Sequence, residues 1–400
     1  MLKYDHRKGS QQVAGVTIYL MNLVVIPLLI LWTLFCILIS PLFLLSIKFL
    51  TRWPMDRVTR LLVWLYGRGC LVVMAPFVHF RHEGFDDPNV CPPCIMVANH
   101  LSFFDTFCMA LLPFSNVVFV IRDWPFKMPW YRPFMKLSRY LNVEALLWGE
   151  IQQKAVAFLQ SDAVVLFFPE GHRSRDGNLQ RFYAGAFKVA VEARTKLIPL
   201  VISGTETLLP PGRWWLQPAH VTLKALEPID AGRFNGKMAH RDLCRITKHR
   251  MRWALNLPIS ASDLLPHQLP MRTIDRIVGL TEAKGTVEYR VGPDHIFLDQ
   301  DGHLEPVVYL EMMAQSFAAI DSYRNGTLDG KPREGFLVGV RDFKVTGRVT
   351  TGEMLTIKVA IMRTFAEFSI TQGEVYRQDG LVASAVLKLW IPGNGENSDA

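Results

Sequence analysis

The stretch Ala163–Gly177, AVVLFFPEGHRSRDG, passes from an unbroken apolar run straight into a cluster of charge. Ala163 to Phe167 reads as a buried strand, because a short continuous apolar run closed by turn residues suits a strand covered on both faces. Pro169 and Gly171 then bend the chain, and Glu170, His172, Arg173 and Arg175 crowd the bend. Two readings are open. A turn rich in arginine and backbone N–H groups is an anion receptor, whereas the same residues also describe a solvated loop after a core strand. A second site must decide between them.

Working outward, strands and helices alternate: strands at 95–98, 117–121, 164–168, 197–202 and 221–225, helices from 103, at 149–160 and at 185–194. Such alternation predicts an α/β layer with a mainly parallel sheet. A polar stretch, Asp230 to His240, leads into a basic helix ending near Arg252. From Leu264 the texture changes. One apolar helix, 307–323, sits among alternating segments that turn at Gly352, Gly373 and Asp379-Gly380, which predicts an α+β domain with an antiparallel sheet wrapped on a single helix. Domains are expected at 51–255 and 262–391, with a disordered tail at 392–400.

The N-terminus is of another kind. No charged residue lies between Lys8 and Lys48, and 13–47 is nearly all apolar, interrupted by Pro27 and Pro41. That run is too long for a secretory leader and is followed by no small-residue cleavage pattern. It suits a membrane segment at 1–50, either a tilted span or a hairpin broken at proline. Lys3, Arg7 and Lys8 precede it, and Lys48, Arg52, Arg57 and Arg60 follow. Basic flanks on both sides favour both ends facing the cytoplasm, hence the hairpin. The next stretch, 51–75, reads as an amphipathic helix in the headgroup plane, with Arg52, Arg57, Arg60 and Arg68 among apolar residues. The formal charge of +8 favours anionic partners. No nucleic-acid motif is present, so a lipid surface or phosphorylated substrate leads. Six cysteines without regular spacing make no disulfide framework and suit a reducing, cytosol-facing location.

Upstream of the opening stretch lies VANHLSFFDTF, 97–107. Asn99 and His100 follow a strand's C-terminal end, where ligand sites of open α/β sheets gather. Asp105, five residues after His100, is placed to orient it, and a histidine so held can strip a hydroxyl of its proton. Ser102 and Asp105 also form an S-x-x-D capping box, and the two roles are compatible. A competing cluster is CPPC, Cys91–Cys94, with His79 and His82 upstream. It precedes a strand instead of opening a helix, as redox pairs do, and its spacing is unusual for zinc. A proline turn is the simpler reading, and no metal is expected.

These residues resemble a family. NHLSFFD is similar to the N-H-x(4)-D motif of the glycerolipid acyltransferases, the lysophosphatidic acid acyltransferase group, and FPEGHRS to their F-P-E-G-T-R-S motif. FVIRDWPFKMPWYRPFMK, RFYAGAFKVAVEA and LIPLVISGT look like further segments of the same family, so the resemblance covers roughly 50–230. It departs at His172, where threonine is usual, and at Tyr183-Ala184. It implies acyl transfer from an acyl-CoA or acyl-carrier-protein thioester to the hydroxyl of a lysolipid or glycerol-phosphate-type acceptor. His100 would be the general base and Asp105 its orienter. Asn99, Arg122, Glu170, Gly171 and Arg173 would bind the acceptor, the bend forming its phosphate cradle. No bound cofactor is implied.

In the C-terminal domain Glu311 and Gln315 stand one turn apart on an otherwise apolar helix. They are either an acid site or the solvent edge of the helix. His295 and His303 lie upstream, either able to supply a base. The segment 262–391 resembles the hotdog-fold 3-hydroxyacyl-[acyl carrier protein] dehydratases: LLPHQLPMRTIDRIVGL looks like their opening strand, YLEMMAQSFAA carries their E-x-x-A-Q helix motif, and FLVGVRDFKVTGRVTTGEML is similar to their next strand pair. The Gly-His-Phe-Pro around the histidine is replaced by H-x-F-x-D-x-x-G-x-L, closer to a branch associated with aryl polyene lipid clusters of Gram-negative bacteria. The resemblance implies a dehydratase with His295 as base, Glu311 as acid and Gln315 beside them, in a homodimer that shares each site between protomers. The expectation is a bifunctional lipid enzyme of the bacterial inner membrane, facing the cytoplasm and partnered by membrane lipids and acyl carrier protein. Alternatives are an acyltransferase whose hotdog domain only dimerises or captures acyl carrier protein, and a thioesterase.

Overall fold

The computed structural model describes residues 6–174, 176–210, 212–280, 284–325, 335–378 and 380–392; Lys3, Asp379 and the expected tail from 393 onward lie outside them. The chain divides into two units between Met251 and Arg252.

The first unit opens with α1 (His6–Thr51), a single continuous helix with Pro27 and Pro41 inside it. The expected proline-broken hairpin is therefore corrected. Each proline removes only one N–H bond, and the helix-compatible Leu, Ile and Val around both carry the helix through. The reversal comes later, where Arg52 adopts a left-handed φ of 58° and Pro54 caps α2 (Met55–Met74). α2 returns along α1: Trp32 Nε1 donates to the Tyr66 carbonyl at 3.0 Å, and Leu44 packs with Val58 and Leu62. Nearer the start of α1, the Asn22 amide donates to the Leu216 carbonyl and accepts from its N–H, both at 2.8 Å. Between Asn22 and Leu44 the helix rises about 33 Å, so that length runs beside the unit instead of leaving it. By length and composition Gly15–Thr51 is apolar enough to cross a membrane, and Leu23, Leu31, Leu38 and Leu45 stand exposed on it. Arg60, expected among the surface basic residues, is instead buried, bonded to Asp56, Asn116 and the Ser138 carbonyl.

Beyond α2 the chain alternates as expected: β1 (Val78–Glu83), β2 (Cys94–Ala98), α3 (Asp105–Cys108), β3 (Val117–Ile121), α4 (Trp124–Lys127), α5 (Arg132–Leu137), β4 (Leu141–Asn142), α6 (Trp148–Leu159) and β5 (Val164–Phe167). There follow α7 (Gly185–Ala193), β6 (Lys196–Ser203), α8 (Thr205–Leu208), β7 (Ala219–Ala225), β8 (Ile229–Asp230) and α9 (Ala239–Ala254). The sheet runs β1-β7-β6-β2-β5-β3-β4. Pairs are parallel except β6 with β7 and with β8. β2 and β5 lie in its middle and are buried along their whole length, which is why they read as unbroken apolar runs. β7 alternates buried and exposed, as a strand near the sheet edge with one wet face should.

The second unit is an antiparallel sheet on one helix. Its strands are β9 (Ile259–Ser260), β10 (Arg276–Leu280), β11 (Lys284–Arg290), β12 (Phe336–Val345), β13 (Met354–Phe365), β14 (Phe368–Arg377) and β15 (Gly380–Trp390), ordered β12-β15-β14-β13-β11-β10-β9. The helix, α10 (Val307–Asn325), buries Val308, Tyr309, Met312, Met313, Phe317 and Ile320 against this sheet. Gly373, expected at a turn, instead lies inside β14; a Cβ there would come 2.6 Å from Met313 Cγ, so its role is to admit the helix. The turn falls at Ala366, which takes a φ of 49°. β12, at the sheet's edge, leaves Phe336, Leu337, Val338, Val340 and Val345 exposed.

Candidate functional site

Adjacent parallel strands bring the two motifs of the first unit together. Val97 of β2 is in register with Phe167 of β5, and His100 and Glu170 stand at equal offsets beyond that pair. The His100 N–H donates to Glu170 Oε1 at 2.8 Å, and the Ser174 N–H donates to the His100 carbonyl at 2.7 Å. The bend after β5 thus grips the backbone of the histidine from both sides. Gly171 makes the bend possible: it has a φ of +69°, and a Cβ there would lie 3.0 Å from the Tyr183 ring.

The His100 ring is 20% exposed, and its Nδ1 lies 2.7 Å from Asp105 Oδ2. That oxygen also accepts the Leu101 and Ser102 N–H groups at 2.6 and 2.9 Å, while Oδ1 accepts the Thr205 hydroxyl at 2.5 Å. Asp105 is fully buried, and its carboxylate both ties down the turn that leads into α3, through Leu101 and Ser102, and orients the imidazole; among the described residues no side chain caps α3 itself. With Nδ1 held by a carboxylate, Nε2 is the ring atom left for a proton. Thr205 was not foreseen; its one sequence signal was its place at the end of LIPLVISGT.

Two expected binding residues do other work. Asn99 is fully buried; its amide donates to the Ile202 carbonyl and accepts from its N–H at 2.9 and 2.8 Å, tying β2 to β6. Glu170 is 1% exposed, and its second oxygen accepts the Gln180 N–H at 2.8 Å. Burial pushes its carboxyl up, opposed by the two backbone N–H bonds. It positions His100 and is not among the residues lining the cavity described next. Arg122, Gly171 and Arg173 do line a cavity with His100, about 1910 Å³ in volume. Arg122 also pairs with Glu144 at 2.5 Å, and Arg173 is exposed. The rest of the lining is largely apolar and aromatic, and reaches back to α1 and α2. The cavity thus joins exposed arginines and a carboxylate-held histidine to a largely apolar lining. Burial holds the Cys94 thiol up at about 12, so Cys94 is no low-pKa nucleophile.

In the second unit Gln315 Nε2 donates to Glu311 Oε1 at 2.7 Å and to the Met271 carbonyl at 2.8 Å, while its Oε1 accepts the Thr273 N–H at 2.9 Å. Gln315, expected to bind substrate, here braces Glu311 against the segment before β10. The 293–306 segment folds into a small hairpin, Leu298 bridging Leu304, and Leu304 donates to the Val349 carbonyl at 2.8 Å. On it His295 packs against Tyr289 and Phe297. His295 Nδ1 accepts the Phe297 N–H at 3.2 Å, and Nε2 is buried without a protein partner. Burial pushes the His295 pKa down. Among the described residues no hydrogen bond joins His295 to Glu311, and His303 sits beside Asp299 instead.

Residues 80–203 match the Acyltransferase family model, and residues 259–398 match the ApeP-like family, described as ApeP dehydratase. The chain is 32% identical over 146 residues to a chloroplastic 1-acyl-sn-glycerol-3-phosphate acyltransferase from Arabidopsis thaliana, a stretch making up 34% of this chain and 39% of that one. It is 34% identical over 167 residues to a 1-acyl-sn-glycerol-3-phosphate acyltransferase from Chlamydomonas reinhardtii, 38% of this chain and 48% of that one. These matches thus span less than half the length of either relative. Among solved structures, the dehydratase heterocomplex ApeI:P from Xenorhabdus doucetiae is 23% identical, covering 34% of this chain and 93% of that one at a TM-score of 0.32.

Proposed function

We propose that this chain, an acyltransferase domain followed by a dehydratase-like hotdog domain, transfers an acyl group from a thioester to the hydroxyl of a glycerol-phosphate-type lysolipid. The observation that carries this is the His100–Asp105 pair at 2.7 Å on the wall of a cavity with arginines at its rim and an apolar interior. His100 Nε2 takes the acceptor hydroxyl's proton as the oxygen attacks the thioester carbonyl. The tetrahedral intermediate then expels the thiol, which leaves with that proton, while the buried Asp105 stabilises the transient imidazolium. Arg173 and Arg122 hold the acceptor phosphate. The donor is acyl-CoA or an acyl carrier protein. The exposed leucines of α1 lie in one leaflet of the bacterial inner membrane, with the unit on the cytoplasmic side. His100→Ala, assayed with purified protein and lysophosphatidic acid, should lower transfer about 10²–10⁴-fold; near wild-type transfer would remove the assignment.

For the hotdog domain the proposed activity is dehydration of a 3-hydroxyacyl thioester, with Glu311 as acid and His295 as base. A second reading, a dimerising scaffold, is favoured by the His295 Nδ1 contact. With Nδ1 accepting a backbone proton, the neutral ring carries its own proton on Nε2, which then donates and is no base. The exposed apolar β12 edge suits a homodimer under both readings. Glu311→Gln separates them: conversion of 3-hydroxyacyl carrier protein to the enoyl form that stops in this variant, with acyl transfer intact, supports dehydration. No conversion by the wild type leaves the scaffold.

A further inference from the structure

A thread of hydroxyls runs along the cavity wall from Thr33 of α1 through Tyr66 of α2 to Tyr131, the residue before α5. Thr33 donates to the Leu29 carbonyl at 2.7 Å. Its Oγ1 lies 3.0 Å from the Tyr66 hydroxyl, which in turn lies 3.4 Å from that of Tyr131. All three side chains line the cavity that holds His100. Proton counting gives the thread a direction. The Thr33 proton is spent on Leu29, so Tyr66 donates to Thr33, and Tyr131 donates to Tyr66. Every proton then points toward α1, and the Tyr131 oxygen ends the thread as an acceptor with lone pairs open. A saturated chain laid against it would strip away its water and return no hydrogen bond.

The thread meets the segment that carries His100 through aromatic rings: the Tyr66 and Phe107 centroids lie 6.2 Å apart and those of Phe107 and Phe103 5.6 Å, both pairs tilted. We propose that the acyl chain taken by this cavity bears a hydrogen-bond donor, a hydroxyl, along its length, and that Tyr131 reads it. This rests on the acyl-transfer reading of His100, and it makes Tyr131 a specificity determinant and not a catalytic residue. The competing account is that the thread merely braces α1 against α2.

The test uses the full chain in phospholipid vesicles with acyl-CoA thioesters of one length, unsubstituted or carrying a hydroxyl at the middle or terminal carbon. One hydroxylated thioester should exceed the unsubstituted one in kcat/KM by roughly three- to tenfold, the worth of one hydrogen bond. In Tyr131→Phe that ratio should fall to near one. A brace would lower both rates together and leave the ratio unmoved. An unsubstituted chain preferred by wild type, or a ratio unaltered in Tyr131→Phe, overturns the proposal. Binding of unreactive thioether analogues of the same chains runs in parallel. If nothing is transferred but the hydroxylated thioether binds more tightly, and Tyr131→Phe removes the difference, the acyl-transfer reading fails while recognition of the chain hydroxyl by Tyr131 stands; if the analogues bind alike, that recognition falls.

Discussion

Asp105→Asn tests the proposed chemistry with little disturbance of the fold. Asparagine has the same shape, and its oxygen can keep the Leu101 and Ser102 N–H bonds while its NH₂ turns to the Thr205 oxygen. What it cannot keep is the charge opposite a protonated His100. Two unit charges about 4 Å apart at an effective dielectric near 20 attract by about 4 kcal/mol, and at 1.36 kcal/mol per decade that is about a thousandfold in rate. Transfer should therefore fall roughly 10³-fold in kcat, while the thermal midpoint moves by only a few degrees. The assay is acyl-CoA consumption with lysophosphatidic acid, alongside the unfolding transition of the same preparation. If Asp105→Asn keeps more than about a tenth of the wild-type rate, the carboxylate ties down the turn and is not a partner to a charged imidazole. Loss of rate and fold together would leave the electrostatic account equally unsupported.

Gly171→Ala forces a Cβ onto a left-handed backbone and toward the Tyr183 ring, so it should destabilise by about 1–2 kcal/mol in thermal unfolding; an unchanged midpoint would mean the bend relaxes freely. His295 is held below its ordinary pKa by burial, so the fold favours its neutral form. That stability is full above the unfolded value of 6.5 and is lost as pH falls through it toward the lower folded value. The midpoint of the hotdog unit should drop on acidification through this window in wild type and less so in His295→Gln; parallel curves would refute it. Asn22→Ala deletes both bonds to Leu216 and should cost about 1–3 kcal/mol, read as faster thermal inactivation of acyl transfer.

The His100–Asp105 pair was legible because its partners are near neighbours in sequence, with the helix start between them. Thr205, a hundred residues further on, completes the carboxylate's bonds and could not be found by spacing. Asn99, just before His100, could not be told from it by position; successive side chains at a strand end point oppositely, and its amide bonds Ile202 of β6. Glu170 looked like a ligand because arginines surround it, yet its partners are two backbone N–H groups, which no composition reveals. Both sheets followed from apolar runs and alternation. The path of α1 did not, because two prolines in an apolar run mark a break or a tolerated kink, and only the packing of α2 decides between them.

The first helix is also masonry. Thr33, Cys36 and Ile37 belong to α1, and they face the same chamber as His100. The apolar helix is therefore part of the wall and not a separable tether. A chain begun at Trp53 would be a room with one side missing, open to water where, on the proposed reading, the acyl tail would lie. On the reading proposed above, one helix then serves two masters, its exposed leucines turned to lipid and Thr33, Cys36 and Ile37 turned to the room, so a shift of the whole helix would touch attachment and chain selection together.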